Sequence, residues 1–285
     1  MDVFSPSKKS MCTCMPKYSL NTYLGRCQHD CIYCYSVKFP VFRGKAKPNL
    51  LLAENVELMV KNKKKKLPVM ICSSTDPYQP LEEEYLITRK CIEVLARYNF
   101  PLMIFTKSHL VVRDLDVLTQ TNALVEMTVT TINTEKQKKI EPRAPTLTKR
   151  LAALQKLSNE GVKTVARIDP VIPMLTDDEK ELTTLVESLA RTGVKHVTAA
   201  TLRPVVGFFP RLKKVDPELH AKLRPLYMKG KLILGYRYLP EDHRKSIIAK
   251  VRRLTKDVGL TFGSCREGFS EWNTAACDGA NYLWS

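Results

Sequence analysis

The sequence predicts an α/β protein in which a parallel sheet curls into a partial (βα)6 TIM-type barrel followed by a C-terminal extension. Three observations predict it. Short apolar runs alternate with stretches of helical period six times between residues 17 and 205, the order expected of parallel strands joined by right-handed crossovers. Gly161 and Gly193 stand where a helix would stop before the next strand. A chain of 285 residues with 44% apolar side chains can build one such core.

Residues 18–23 read as the first strand, with a cysteine-rich loop at its downstream end. Residues 49–61 are helical, and 69–73 form a buried strand bounded by polar turn residues. Residues 81–98 carry Leu81, Tyr85, Ile92 and Leu95 at helical spacing behind Pro80, a start signal. Four further strands fall at 102–105, 124–129, 164–168 and 196–200, separated by helical patterns at 111–118, 145–159 and 176–191. The chain thus divides into an N-terminal arm (1–16), the barrel (17–205) and a basic extension (206–285). In such a barrel the functional loops gather at the C-terminal ends of the strands.

The chemistry-bearing pattern is Cys27-x3-Cys31-x2-Cys34. Three thiolates so close can hold three irons of a cubane cluster and leave the fourth open to a small molecule. Structural zinc normally takes four ligands, which here would mean recruiting His29 or Cys14. A disulfide framework does not suit a chain of this length without a charged-then-apolar leader, so the thiols are expected to be reduced. The other motifs fall at the same rim: Cys72-Ser-Ser-Thr-Asp-Pro-Tyr-Gln-Pro80, Thr106-Lys107, Thr128-Val-Thr-Thr131, Glu141-Pro-Arg-Ala-Pro-Thr146 and Arg167-Ile-Asp-Pro-Val-Ile-Pro173. Each also has a plainer reading, as an N-cap at Thr146 or turn formers at Pro77 and Pro80.

The cysteine spacing, with aromatic Tyr33 before the last cysteine, resembles the signature of the radical S-adenosylmethionine (SAM) superfamily. The Thr-Asp-Pro-Tyr-Gln-Pro and Glu-Pro-Arg-Ala-Pro runs resemble its spore photoproduct lyase-like branch, over roughly residues 17–205. That resemblance implies a [4Fe-4S] cluster on Cys27, Cys31 and Cys34, with SAM chelated to the open iron. Reductive cleavage of SAM would give a 5′-deoxyadenosyl radical that abstracts hydrogen from substrate. It further implies that Ser74 and Asp76 contact the methionyl end of SAM, that Lys107 pairs with its carboxylate and that Thr130 meets the ribose. Val171, Ile172 and Pro173 would lie near adenine, with Arg143 close by in a supporting role. Cys72 stands where a hydrogen-donating cysteine is expected, one residue out of register, and a small core residue is the competing reading. Tyr33 and Tyr35 would either relay hydrogen or pack around the cluster.

Charge bears on partners. Lys+Arg number 46 against 29 Asp+Glu, a formal balance of +17, which favours polyanions and most of all nucleic acid, DNA over RNA. Residues 207–257 hold fourteen Lys/Arg against five acids and are the better candidate for a phosphate-binding surface; Lys63–Lys66 reads as a solvated loop. A reductant such as flavodoxin or ferredoxin is implied, and no run is long and apolar enough for a membrane span. A cytoplasmic location is expected. Cys12, Cys14, Cys265 and Cys277 would hold an auxiliary cluster or a zinc if the two termini meet, and are otherwise unpaired thiols, Cys265 or Cys277 then being an alternative hydrogen donor. Fold and cofactor do not choose a substrate, so RNA, a peptide or a small molecule stays open beside thymine-lesion DNA. A non-catalytic, zinc-stabilised nucleic-acid-binding module is the alternative from another class.

Overall fold

The computed structural model describes residues 1–4, 6 and 8–284. Among these, eight strands form the main sheet, in spatial order equal to chain order: β1 (Asp2–Phe4), β2 (Lys17–Leu20), β3 (Val69–Ile71), β4 (Leu102–Thr106), β5 (Ala123–Thr128), β6 (Lys163–Val171), β7 (His196–Thr201) and β8 (Thr261–Ser264). From β2 to β8 every neighbouring pair is parallel, which is the expected partial barrel. The N-terminal arm adds β1 antiparallel to β2, with Val3 opposite Tyr18. The extension adds a seventh parallel strand, with Thr261 opposite His196.

Alternation along the strands sorts two packing faces. Val69, Ile71, Leu102, Ile104, Val125 and Met127 are fully buried in the main core. Burying each such side chain contributes ~1.5–3 kcal/mol. Met103, Leu124 and Val165 alternate to the other face, where Ala280 and Leu283 of the C-terminal tail cover them. Asn122 Nδ2 donates to the Leu283 carbonyl at 2.7 Å and holds the tail there. The helix Glu241–Asp257 buries Ile247, Ile248, Val251 and Leu254 and packs on β7, β8 and the helix Glu179–Arg191.

Several elements depart from the sequence reading. The first strand stops at Leu20, so Thr22 is free to bond elsewhere. The expected helix over 81–98 is two helices, Leu81–Tyr85 and Ile87–Arg97, meeting at Leu86 with φ +54°. The break is held by Glu82, whose buried carboxylate accepts from the N–H groups of Thr88 (2.8 Å) and Arg89 (3.1 Å) and so caps the second helix. A further helix, Thr134–Ile140, follows Asn133, whose side chain accepts from the N–H groups of Glu135 and Lys136.

Candidate active site

A cavity of about 280 Å³ opens at the C-terminal ends of the parallel strands. Cys27, Cys31 and Cys34 line it, together with Cys72, Ser74 and Lys107, so residues from three separate motifs face one space. The loop that carries the three cysteines is braced from two sides. On one side, the Gln28 N–H donates to Gln79 Oε1 (2.9 Å), Gln28 Oε1 accepts from the Leu81 N–H (2.8 Å), and His29 Nε2 lies 3.2 Å from Asp76 Oδ2. On the other, the Ile32 N–H donates to the Ile140 carbonyl (3.0 Å) and the Arg143 N–H to the His29 carbonyl (3.3 Å). The two proline-rich runs therefore serve as scaffolding for the cysteines.

Asp76 is the hub of the first brace. Its Oδ1 accepts from Thr106 Oγ1 (2.7 Å) and the Tyr78 N–H (2.9 Å), and its Oδ2 from the Lys107 N–H (2.7 Å). Burial pushes this carboxyl up, but His29 and the donors from Thr106 and Lys107 outweigh burial and hold its pKa at about 2. The carboxylate is thus ionised and engaged by its own loop, the cysteine loop and the end of β4, with Lys107 placed by its backbone. The Lys107 ammonium then reaches over the Tyr33 ring, 5.6 Å from its centroid.

Glu141 is the hub of the second brace. Its carboxylate accepts from the Tyr33 hydroxyl and from Thr130 Oγ1 (3.1 Å), and pairs with Arg150, which is 1% exposed. Arg150 also donates to the carbonyls of Thr128 (2.9 Å) and Pro145 (2.8 Å). Thr130 is therefore committed behind the cavity wall, while Thr128 lines the cavity itself. Tyr35 lines it too, and its hydroxyl donates to the Ser73 carbonyl beside Cys72.

Cys72 sits at φ +58°, a left-handed conformation uncommon for a residue with a side chain. The Thr22 N–H donates to its sulfur at 3.2 Å, and the Thr22 hydroxyl lies 3.0 Å away. Burial pushes the thiol up to about 11 against the Thr22 bonds, so it stays protonated at neutral pH. Val171, Ile172 and Pro173 are buried, and it is Asp169 and Pro170 that line the cavity on that strand. Arg143 has an exposed side chain, and it is tied to the site through its backbone N–H.

The sequence reading did not assign roles to Arg167, Asp169 and Arg203, all of which line the cavity. Arg167 pairs with Glu126 (2.6 Å) and Asp169 (2.7 Å), and Arg203 reaches Asp169 (3.6 Å) and Glu267 (3.4 Å). Two charged residues two apart in β6 share one face of the strand, and that spacing was the available signal. The basic extension is only partly free for partners. Nine of its fourteen cations are exposed, but Arg244 is buried with Glu267, which removes it from any phosphate-binding surface.

Do these residues suit a cubane cluster? Among the described residues, the one set of Cys, His and carboxylate donors lying within 4.8 Å of one another excludes the three motif cysteines, whose sulfurs are thus spread wider than one ion allows. Arg211 Nη1 and Nη2 are buried without a hydrogen-bond partner, although Cys31, Cys34 and Asp30 are its electrostatic neighbours. Buried guanidinium donors left open beside two of the motif thiols suit an anionic, sulfide-rich group. The residues fit a cubane.

The Radical SAM superfamily model matches residues 22–186, more than half of the sequence. The chain belongs to the radical SAM superfamily. Members are enzymes that use a [4Fe-4S] cluster and SAM, and the matched residues include Cys27, Cys31 and Cys34. Among curated relatives, an uncharacterized protein of Methanocaldococcus jannaschii is 35% identical over 167 residues, 57% of this chain and 63% of that protein's length. A radical SAM Nα-GlyT isomerase of Pseudomonas phage M6 is 22% identical, covering 86% of this chain and 52% of the isomerase. Among solved structures, spore photoproduct lyase complexed with dinucleoside spore photoproduct superposes with a TM-score of 0.68 at 18% identity, covering 92% of this chain and 78% of the lyase. Streptococcus suis SuiB bound to its precursor peptide SuiA gives 0.59 at 13% identity, over 90% of this chain and 50% of SuiB. Both share the fold. No helix among the described residues is long and apolar enough to cross a membrane.

Proposed function

We propose that this radical SAM enzyme acts on nucleic acid, most concretely as a spore photoproduct lyase-like repair activity on a cross-linked thymine pair in DNA. The observation that carries this reading is the position of Cys72: a protonated thiol, 1% exposed, facing the same cavity as the three cluster cysteines. Such a thiol is a hydrogen-atom donor beside the place where a hydrogen is removed. The net charge of +17 and the exposed cations of residues 207–257 support a phosphate-bearing substrate. The lyase with which this fold superposes carries a dinucleoside photoproduct.

When bound, the reduced cluster and SAM supply one-electron cleavage of a sulfonium and a carbon-centred group able to abstract substrate hydrogen. In this reading Cys27, Cys31 and Cys34 hold the irons, and Ser74 and the Lys107 ammonium receive the amino-acid end of SAM. Asp76 positions both by tying the Lys107 backbone to the cysteine loop. Thr130 and Glu141 stiffen the wall on the ribose side, with Val171, Ile172 and Pro173 behind the adenine. Once the bridging carbon–carbon bond has broken, the Cys72 S–H bond breaks and its hydrogen atom goes to the thymine radical. The thiyl left on Cys72 would be restored to S–H by a hydrogen passed through Tyr35, whose hydroxyl ends at the neighbouring Ser73, from a C–H bond of the adenosyl methyl group. The unpaired electron would return to that carbon, so no external oxidant is consumed. A damaged base reaches the cavity by leaving the stack, at modest cost where pairing is already lost.

Anaerobic reconstitution, dithionite and SAM should yield 5′-deoxyadenosine, and Cys31→Ala should abolish it. Ultraviolet-damaged DNA should then return thymines, with substrate hydrogen found in the adenosyl group. Turnover of RNA or a peptide, with none on damaged DNA, would sink the DNA reading.

A further inference from the structure

A second group of sulfurs comes together outside the cluster motif, from segments more than 260 residues apart. Cys14 Sγ lies 3.4 Å from Cys277 Sγ, and with an Asp278 carboxylate oxygen they form a set of donors all within 4.8 Å of one another. Cys12 lies beside Cys14, buried and hydrogen-bonded to it through its sulfur, but outside that 4.8 Å set. Three separate devices build this meeting. Gly263 lets the Cys277 backbone lie against β8, where any Cβ would stand 2.6 Å from the Cys277 Cα. Thr198 Oγ1 donates to the Cys277 carbonyl at 2.8 Å, and Arg266 Nε donates to the Ser10 carbonyl at 3.3 Å.

The spacing selects a kind of centre. Two thiolates on one tetrahedral ion, each at ~2.3 Å, stand ~3.8 Å apart. A disulfide would need ~2.05 Å. The 3.4 Å separation lies near the first value and far from the second. Charge agrees. Three thiolates and a carboxylate around a dication leave two negative charges, and two cations are in place: Lys17, 0% exposed and paired with Asp278, and Arg266, which acts electrostatically on Cys12. Cys265 is not part of the set, because its sulfur bonds to Arg167 instead.

We propose that Cys14, Cys277 and Asp278 form a site for one borderline-soft divalent ion, zinc or ferrous iron, which draws in the neighbouring Cys12 thiol as its fourth ligand and pins the N-terminal arm to the C-terminal tail. Cys12 and Cys14 also line the main cavity, so this ion sits in its wall. The proposal is independent of the substrate reading, since it concerns metal content alone.

The test is metal analysis of the full-length protein isolated anaerobically. Besides the cluster's iron, about one equivalent of zinc, or of high-spin ferrous iron with thiolate-type Mössbauer parameters, is expected per chain. Cys14→Ser/Cys277→Ser should lose that equivalent and keep the cluster's iron, whereas Cys265→Ser should keep both. If the double variant does not fold, cobalt(II) added to apo protein with native thiols decides: a sulfur-to-cobalt charge-transfer band of one equivalent, left unchanged by Cys27→Ala, Cys31→Ala and Cys34→Ala together, supports the site. No metal beyond the cluster and no such band, or a Cys14–Cys277 disulfide in the anaerobic protein, overturns it.

Discussion

The Tyr33 hydroxyl donates its hydrogen bond to the Glu141 carboxylate, and through it the cysteine motif is joined to the buried guanidinium of Arg150. An aromatic residue of the motif is thus tied to a charge pair more than a hundred residues downstream. Removing one partner of such a pair strands the other without solvent. Glu141→Ala is expected to cost ~3–5 kcal/mol and to lower iron uptake, while Tyr33→Phe costs about 1 kcal/mol. Denaturant unfolding of the metal-free chain measures both. Burial raises the Glu141 carboxyl, but Arg150 and Lys107 outweigh it, and the net shift is downward. The stability it contributes is present above the unfolded carboxyl pKa and fades as pH falls through the lower folded value.

His196 gives a second pH signature. It is 0% exposed, with Nδ1 2.8 Å from Thr261 Oγ1, and burial lowers its pKa from 6.5 to about 4. The unfolded chain therefore binds the proton first, and stability is full above the unfolded pKa and lost as pH falls towards the folded one. Between pH 6.5 and 5 the loss should approach ~2 kcal/mol, at ~1.36 kcal/mol per unit. His196→Gln should flatten that part of the stability–pH curve; an unchanged slope would show that another group titrates there.

Arg211 is expected to set the cluster's potential. Its Nη groups are buried and open beside Cys31 and Cys34, so a cation favours the reduced, more negative cluster. Arg211→Met should move the potential to more negative values on the order of 50 mV, where ~59 mV is tenfold in a one-electron equilibrium. Redox titration followed by electron paramagnetic resonance reads this without substrate, and an unmoved potential would remove Arg211 from that role.

Cys72→Ala should leave cluster content and SAM cleavage intact while clean product gives way to radical by-products. Product analysis on the damaged DNA substrate is the measurement. Normal product yield would return Cys72 to the core and shift attention to Cys265, which faces the same cavity.

How much of this was legible in the sequence depended on distance along the chain. Strands such as Val69–Ile71 and Leu102–Thr106 announce themselves as short apolar runs, and the three cysteines by spacing. β8 does not: Thr261-Phe-Gly-Ser264 has one large apolar residue, and its place comes from pairing with β7, sixty-odd residues earlier. The break at Leu86 was hidden because Glu82 fits a helical pattern as well as it caps the next helix. Asp76 was visible as a rim residue, but not its saturation by four neighbours from three segments. Local pattern gives the elements, whereas partner choice for a buried polar group is a property of the assembled fold.

The Lys17–Asp278 pair has a consequence for biogenesis. An ammonium in the first parallel strand waits for a carboxylate made 261 residues later, and burying it alone would cost several kcal/mol. During translation the nascent barrel should therefore keep that strand loosely docked until the tail emerges. Delivery of iron to the motif would then precede final closure of the polypeptide around it.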